Sequence, residues 1–189
     1  VQEGENAGIW LSEYLEEQGR QDETVNIVVL QGTAGSTSTI GRTDGFNKVA
    51  AEHGNWNILE QTDGDFTTAK AREEMGRLLK TYGEIDVVVS QNDDMTFGVL
   101  DELEDAGMTT GVDGDVIVIS FDAVRSALEK VQDGSINVDI ECNPEQGPYV
   151  EKVIRDLENG KEVDKYSYVP EQIFTQDNLS RQLIDERSY

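Results

Sequence analysis

Short apolar runs alternate with amphipathic stretches along this chain, and no other feature constrains its fold as much. The runs 25–30, 85–89 and 116–119 are apolar at nearly every position. Strands that are apolar on both faces belong to parallel sheets covered by helices on each side. The runs therefore predict buried parallel strands. Weaker strand candidates are the segments 56–61, 136–141 and 166–169.

Amphipathic patterns of helical spacing fill the intervals between these runs. They cover the segments 40–52, 67–82, 95–106, 124–132 and 148–159. Gly107, Gly134 and Gly160 follow three of these segments, at the position where glycine commonly ends a helix. A further helical pattern opens the chain around Ala7. The βαβαβαβ order predicts the α/β class, with a doubly wound parallel sheet and flanking helices.

The charge of the chain excludes several classes of partner. It has 39 acidic and 15 basic residues and a formal net charge of −24. Such a chain could not neutralise phosphates, so we expect no nucleic acid as a partner.

The single cysteine of the chain, Cys142, excludes an internal disulfide and a zinc site built from cysteines. A hydrophobic content of 37% is enough for a packed core.

Candidate ligand-binding residues follow the predicted strands, because open α/β sheets bind ligands beyond the carboxyl ends of their strands. Carboxylates and amides can accept from and donate to paired hydroxyl groups, and arginine donates two parallel hydrogen bonds. An aromatic ring can cover the apolar C–H face of a sugar. This mixture indicates a site for a neutral polyol. The candidates are Phe66, Asn92, Asp122, Glu141 and Cys142, together with Arg42 one turn into the helix after the first strand.

Other chemistries fit the sequence poorly. The glycine-containing loop 32–36 lacks the spacing of a P-loop or a dinucleotide site. The acidic segments 63–65 and 92–94 lack the spacing of a calcium loop, and we expect Asp93 to cap the helix that follows it. The only histidine, His53, has no recognisable nucleophile partner. We therefore expect no catalytic residue, no cofactor and no metal.

Several of these segments, taken in order, carry a family resemblance. They are 31–36, 42–46, 64–67, 91–95 and 118–123. The set resembles the ribose-binding-protein-like family of ABC-transporter substrate-binding proteins, which are periplasmic binding proteins of type I. The segments 62–70 and 174–177 are most similar to the galactofuranose-binding branch. The resemblance extends over essentially the whole chain.

The resemblance implies two α/β lobes, joined by three crossover segments, that close on a monosaccharide. Residues 1–140 would form the C-terminal lobe, and 141–166 would be a crossover with a strand and helix of the N-terminal lobe. Residues 167–189 would be the return crossover and C-terminal tail. The rest of the N-terminal lobe would be missing, which leaves a fragment with half of the site. Such a fragment could self-associate through its exposed face.

Residue roles can be carried over from the family by position. Arg42 and Asn92 would form hydrogen bonds near the ring oxygen and hydroxyls, Asp122 would accept from paired hydroxyls, and Phe66 would stack on a sugar face. Glu141 or Cys142 would take the polar contact near the third crossover.

The resemblance implies a non-enzymatic solute-binding subunit of an ABC transporter. Its ligand would be a pentose or hexose, furanose forms included, and its partner would be an ABC permease in the membrane. It would lie in the periplasm, or outside the cell on a lipid anchor. The alternative is the sugar-sensing domain of a transcription regulator or chemoreceptor, which uses the same fold. A small sugar-modifying enzyme is disfavoured, because no nucleophile or paired catalytic carboxylates are recognisable.

Overall fold

Strands and helices alternate along the chain in the computed structural model, which describes residues 1–189. The strands are β1 (Val25–Gln31), β2 (Trp56–Asp63), β3 (Val87–Ser90), β4 (Ile117–Asp122), β5 (Val138–Glu141) and β6 (Ile173–Thr175). The helices are α1 (Gln2–Glu17), α2 (Thr37–Ala50), α3 (Thr68–Thr81), α4 (Asp93–Asp105), α5 (Arg125–Asp133), α6 (Gly147–Glu158) and α7 (Arg181–Glu186).

All six strands belong to one sheet, in the order β2-β1-β3-β4-β5-β6. The first five are mutually parallel, and β6 pairs antiparallel with β5 at the edge. The strand order reverses direction at β1, as a doubly wound sheet requires. The predicted α/β class and doubly wound sheet are confirmed, and the antiparallel edge strand is an addition to the prediction.

The sheet is covered on both faces. On one face, Leu11 of α1 and Phe46 of α2 pack in the same cluster as Ile27 and Val29 of β1. On the other face, helices α3, α4 and α5 cover β1, β3 and β4, and Val28 of β1 points to this side. Because both faces are buried, each central strand is apolar at most positions, which explains the nearly continuous apolar runs. Each fully buried aliphatic side chain contributes about 1.5–3 kcal/mol.

The helices that follow β1, β2 and β3 each begin with a side-chain cap. Ser36 accepts from the Thr39 amide at the start of α2, and Thr67 caps α3 in the same way. At α4 the cap is Asn92, whose Oδ1 accepts from the Met95 amide at 3.0 Å. Our expectation that Asp93 caps this helix is wrong. The amide of Asn92 takes that position, so the Asp93 carboxylate is free to point into the core.

The C-terminal part departs from the sequence prediction. Residues 166–169 form no strand, whereas Ile173–Thr175 forms the short strand β6. Helix α6 has no buried residue, and its apolar side chains Val150, Ile154 and Leu157 are each at least 50% exposed. No helix has both the length and the apolar character to cross a membrane.

Candidate functional site

A polar cluster lies at the carboxyl ends of the strands, with Arg42 at its centre. Its other members are the residues that Arg42 contacts, Glu3, Gln91 and Asp122. Arg42 extends from α2, and its side chain is only 4% exposed. Its Nη2 donates to Asp122 Oδ1 at 2.7 Å and its Nε donates to Glu3 Oε2 at 2.6 Å. Its Nη1 donates to the carbonyl of Gln91. The guanidinium carbon also lies 5.0 Å from the centre of the Phe121 ring. Arg42 therefore joins α1 and α2 to the ends of β3 and β4.

The charges in this cluster reinforce the pairing. Burial disfavours a charged guanidinium, but the carboxylates of Asp122 and Glu3 outweigh it and raise the pKa of Arg42. Burial raises the pKa of Asp122, and the Arg42 charge opposes this rise. One cation lies between two carboxylates, so the cluster carries a net negative charge. Asp122 Oδ2 and Glu3 Oε1 form no hydrogen bond within the protein, and both side chains are partly exposed.

Phe66 lies on the loop between β2 and α3, close to the loop that follows β1. The residue is half-buried and has a backbone φ of 54°. A Cβ atom added to Gly32 would collide with the Phe66 ring, so the ring lies directly against the Gly32 backbone. Thr33 Oγ1 donates to Asp65 Oδ1 at 2.8 Å and ties the two loops together. The absence of a side chain at Gly32 is thus what allows the ring to lie at the strand ends.

Gln91 connects these loops and was not among the predicted site residues. Its side chain is 1% exposed. Gln91 Oε1 accepts from the Gly32 amide at 3.1 Å, and its Nε2 donates to Thr43 Oγ1 at 2.8 Å. Its carbonyl accepts from Arg42, so one residue orients both the Gly32 loop and the arginine.

Asn92 uses its Oδ1 as the cap of α4, which leaves its Nδ2 as the only group that could contact a ligand. No protein group accepts a hydrogen bond from this Nδ2, and the residue is 8% exposed. Asn92 can therefore serve both roles, because the two ends of an amide are independent.

Glu141 is fully engaged within the protein. Its Oε1 accepts from Arg187 Nη1 and from Tyr189 Oη, both at 2.7 Å, and its Oε2 accepts from the Gln172 amide at 2.8 Å. The residue is 2% exposed. Its carboxylate holds the C-terminal tail, and a ligand contact by Glu141 stays a prediction.

Cys142 lies at the rim of the cluster, half-buried. Its Sγ and one carboxylate oxygen each of Glu3 and Glu171 lie within 4.8 Å of one another. Burial, with the charge of Glu3, raises the pKa of the thiol to about 11. Cys142 is therefore a neutral thiol at neutral pH, which suits a weak polar contact.

A cleft of about 940 Å³ opens beside the cluster and shares Glu3 with it. It lies between the start of α1, the helix α6 and the segment 167–171. Tyr149 and Ile154 of α6, together with Tyr168, form much of its apolar lining. The cluster thus faces an open, partly apolar surface and is not enclosed by this chain alone.

Comparison with known proteins identifies the family. Residues 1–162 match the periplasmic binding protein domain. The chain belongs to this family. It is 28% identical, over its whole length, to the galactofuranose-binding protein YtfQ of Escherichia coli and covers 58% of that protein. It is also 32% identical over 124 residues to the ribose import binding protein RbsB of the same organism, of which it covers 40%.

Solved structures of periplasmic binding proteins agree with this assignment. The arabinose-transporter binding protein of Shewanella sp. ANA-3, bound to α- and β-L-arabinofuranose, matches 99% of this chain and 60% of its own length. The TM-score is 0.85 at 31% identity. A Mycobacterium smegmatis protein in complex with β-D-fucofuranose gives 0.82 at 32% identity, over 93% of this chain and 56% of its own length. The chain therefore spans somewhat more than half the length of each of these two solved proteins.

The six predicted site residues of this periplasmic binding protein differ in how closely they are connected. Arg42 and Asp122 contact each other directly. Asn92 follows Gln91 in sequence, and Phe66 lies against Gly32, whose amide Gln91 holds. Cys142 lies at the rim of the cluster, and Glu141 lies outside it. The sequence pattern did not predict Glu3, because Glu3 is 39 residues from Arg42 and precedes the first strand. Candidates were sought only after strands.

Proposed function

We propose that this chain is the larger part of a monosaccharide-binding subunit of an ABC transporter. The observation that carries the proposal is the pairing of the buried Arg42 with Asp122, which leaves one Asp122 oxygen free at the strand ends where the Phe66 ring also lies. The relatives that share the fold at about 30% identity were solved with arabinofuranose and fucofuranose. A pentose or hexose in the furanose form is thus the ligand class that we favour.

The ligand would meet acceptors and a donor in a fixed arrangement. Asp122 Oδ2 and Glu3 Oε1 would accept from hydroxyl groups, and Asn92 Nδ2 would donate to one. Phe66 would cover a C–H face of the ring. Because the only cation, Arg42, is already paired with two carboxylates, the site would favour a neutral sugar and repel a sugar acid or sugar phosphate.

The second wall of the site would come from another lobe. We assign residues 1–140 to the C-terminal lobe, 141–166 to a crossover with elements of the N-terminal lobe, and 167–189 to the return crossover and tail. Two features support this assignment. Helix α6 has no buried residue. In addition, about 40% of the length of the Shewanella protein lies outside the part that matches this chain. Closure of the two lobes on the sugar would be a hinge motion.

The partner of the closed form would be an ABC permease, and the protein would act outside the cytoplasmic membrane, in the periplasm or on a lipid anchor. The relatives named above are binding proteins, which supports binding and not catalysis. They favour transport over the sensing-domain alternative.

Calorimetry and thermal shift of this chain with L-arabinose, D-galactose, D-fucose and D-ribose test the proposal, with D-galactonate as the acidic control. With one wall of the site present, we expect dissociation constants in roughly the millimolar range, about 4 kcal/mol of binding. We expect no binding of galactonate. A chain that binds none of the neutral sugars, or binds galactonate in preference, would contradict the proposal.

A further inference from the structure

The backbone that presents Asp122 has an unusual conformation. Asp122 has a φ of 105° and the next residue, Ala123, a φ of 60°. Residues with a Cβ atom rarely adopt positive φ, and two in succession persist only where surrounding contacts enforce them. The position of the Asp122 carboxylate therefore depends on whatever holds this turn.

Two buried aspartates hold the turn. The Ala123 amide donates to Asp139 Oδ1 at 3.1 Å, and the Val124 amide donates to Asp93 Oδ2 at 2.8 Å. Asp139 is on β5 and Asp93 begins α4, so consecutive amides of the turn are fixed to two different elements. On the other side, Arg187 Nε donates to the Ala123 carbonyl at 2.9 Å.

The two aspartates also face each other, within reach of a hydrogen bond. Asp139 is 0% exposed and Asp93 2% exposed. Asp93 Oδ1 accepts from Ser120 Oγ at 2.6 Å, whereas Asp139 Oδ2 is buried and has no partner in the protein. A buried oxygen without a partner is costly, but a proton on Asp139 Oδ2 would give it one, because the hydroxyl could donate to Asp93.

We infer that Asp93 and Asp139 share a proton, and that this protonated pair is the device that fixes the Asp122–Ala123 turn and so positions the Asp122 carboxylate. The last step, from the turn to sugar binding, rests on the proposed function. The first step, from the pair to the turn, does not. Both aspartates are positioning residues, since neither is exposed to a ligand.

The charged groups around the pair agree with a retained proton. Asp122, on the turn itself, is a third carboxylate next to both aspartates. Arg187 approaches only the far side of the turn, and Glu141 already pairs with it. Ser120 of β4 and Thr96 of α4 are neutral hydroxyls 2.7 Å apart. Burial, together with the neighbouring carboxylates, raises the pKa of Asp139 well above its ordinary value, and burial likewise raises that of Asp93.

The sign of the pH dependence follows from the raised pKa. Between the ordinary aspartate pKa of about 4 and the raised folded value, the folded chain holds a proton that the unfolded chain has lost. Stability therefore falls as pH rises through this window. Above it, two buried carboxylates repel each other and Asp139 Oδ2 again lacks a partner, so the turn should loosen.

Asp139→Asn tests the inference, because an asparagine copies the protonated aspartate. Its Oδ1 can accept from the Ala123 amide while its Nδ2 donates to Asp93, at every pH. Asp139→Leu has a similar size and can do neither. The experiment has two readouts, each measured from about pH 5 to pH 8.5. One is the protection of the Ala123 and Val124 amides against hydrogen exchange, and the other is the midpoint of urea unfolding. L-Arabinose affinity is measured in parallel.

In the natural chain we expect amide protection at the turn to fall about tenfold or more as pH rises, after correction for intrinsic exchange. Asp139→Asn should keep its protection across the range and should flatten the pH dependence of the urea midpoint. Asp139→Leu should lack protection throughout. If Asp139→Leu does not fold, the comparison of the natural chain with Asp139→Asn decides.

An Asp139→Asn variant that loses protection with pH as the natural chain does would overturn the inference, and so would a folded Asp139→Leu variant with full protection. Arabinose affinity should follow protection, and affinity that stays constant while protection falls would refute the positioning of Asp122. If arabinose binds to none of the three proteins while protection behaves as expected, the proposed function fails and the proton-sharing pair stands.

Discussion

Asp122 accepts a hydrogen bond from Arg42 through one carboxylate oxygen, at 2.7 Å, while its other oxygen has no partner in the protein. The two residues are 80 positions apart in sequence, and Arg42 is almost completely buried where Asp122 is 34% exposed. Arg42 thus holds one oxygen of the carboxylate from the buried side and leaves the other oxygen free to accept a hydrogen bond. An acceptor that is already oriented loses little entropy when a ligand binds.

Asp122→Ala should weaken the binding of a neutral sugar such as L-arabinose by about 2–3 kcal/mol, because a bound hydroxyl would lose its acceptor. Arg42→Ala should weaken binding by a similar amount through loss of the orientation of Asp122. Because the natural chain is expected to bind only in the millimolar range, titration calorimetry should detect its binding and no binding by either alanine variant. Asp122→Asn is the matched control, since its amide oxygen can still accept from Arg42, and its loss of affinity should be smaller. Unchanged affinity in both alanine variants would contradict the site assignment.

Gly32→Ala should displace the Phe66 ring, because the new methyl group would occupy the space of the ring. If Phe66 stacks on the sugar, affinity should fall by about 1 kcal/mol, roughly fivefold, as in Phe66→Ala. Gly54→Ala is the control, because Gly54 has no atom within 4 Å of an added Cβ and should behave as the natural chain does. Calorimetry gives the affinities. A Gly32→Ala variant of natural affinity would show that the ring does not contact the sugar.

Arg187→Ala should release the C-terminal tail. The guanidinium, whose side chain is 10% exposed, pairs with the buried Glu141 and lies over the rings of Phe174 and Tyr189. Its loss leaves Glu141 as an uncompensated buried charge, which costs about 3–5 kcal/mol of unfolding free energy. Urea unfolding measures the loss, and limited proteolysis should then cleave the tail.

The control for the tail is the double variant Glu141→Gln/Arg187→Ala. Glutamine still accepts from Tyr189 or the Gln172 amide but carries no charge, so the double variant should recover part of the stability. If the single and double variants are equally stable, the buried charge of Glu141 is not what Arg187 compensates.

The sequence predicted those parts of the fold whose pattern is local. The runs 25–30, 85–89 and 116–119 are apolar because both faces of each strand are covered, and all three became central strands. Strand β6 is only three residues long, which is too short for a pattern to emerge. The segment 166–169 has strand-like composition but no neighbouring strand to pair with, and side-chain type alone does not create a strand.

The candidate site was predictable only where residues follow a strand. Asp122 was found by that rule and Arg42 by its place near the start of the helix that follows the first strand, and the structure brings them into contact. Glu3 could not be found, because its link to Arg42 depends on how α1 packs against α2. Asn92 took the capping role that was expected of Asp93, since either side chain can cap a helix and the sequence does not show that Asp93 is buried. Glu141 and Asp139 hold the tail and the turn because both are buried, which their residue type alone does not indicate.

The exposed apolar face of α6 should make this chain self-associate. Its residues Val150, Ile154 and Leu157 would be covered by a second lobe in the proposed receptor, and a second copy can cover them instead. Sedimentation should show a mass that rises with protein concentration. Ile154→Asn should reduce this rise. Ile40→Asn is the control, because Ile40 is also 50% exposed but lies on α2. A chain that stays monomeric at all concentrations would contradict the prediction.

Salt should stabilise this protein. Its 39 acidic and 15 basic residues give a formal net charge of −24, and like charges at this density repel one another in the compact state more than in the expanded one. Ions screen that repulsion, so the urea midpoint should rise with NaCl between about 0.05 and 1 M, where the screening length falls from over 10 Å to about 3 Å. Screening would weaken the exposed ion pairs as well, but such pairs contribute little individually.

Glu16, Glu17 and Asp22 are exposed and belong to no ion pair, so they isolate the repulsive contribution. Replacing them with Gln, Gln and Asn removes three of the 24 net negative charges, which should raise stability at low salt and reduce its dependence on salt. The charge-conserving exchange Glu16→Asp, Glu17→Asp and Asp22→Glu should leave the salt dependence unchanged. If both triple variants respond to NaCl as the natural chain does, then the salt effect comes from strengthened hydrophobic burial and not from screened repulsion.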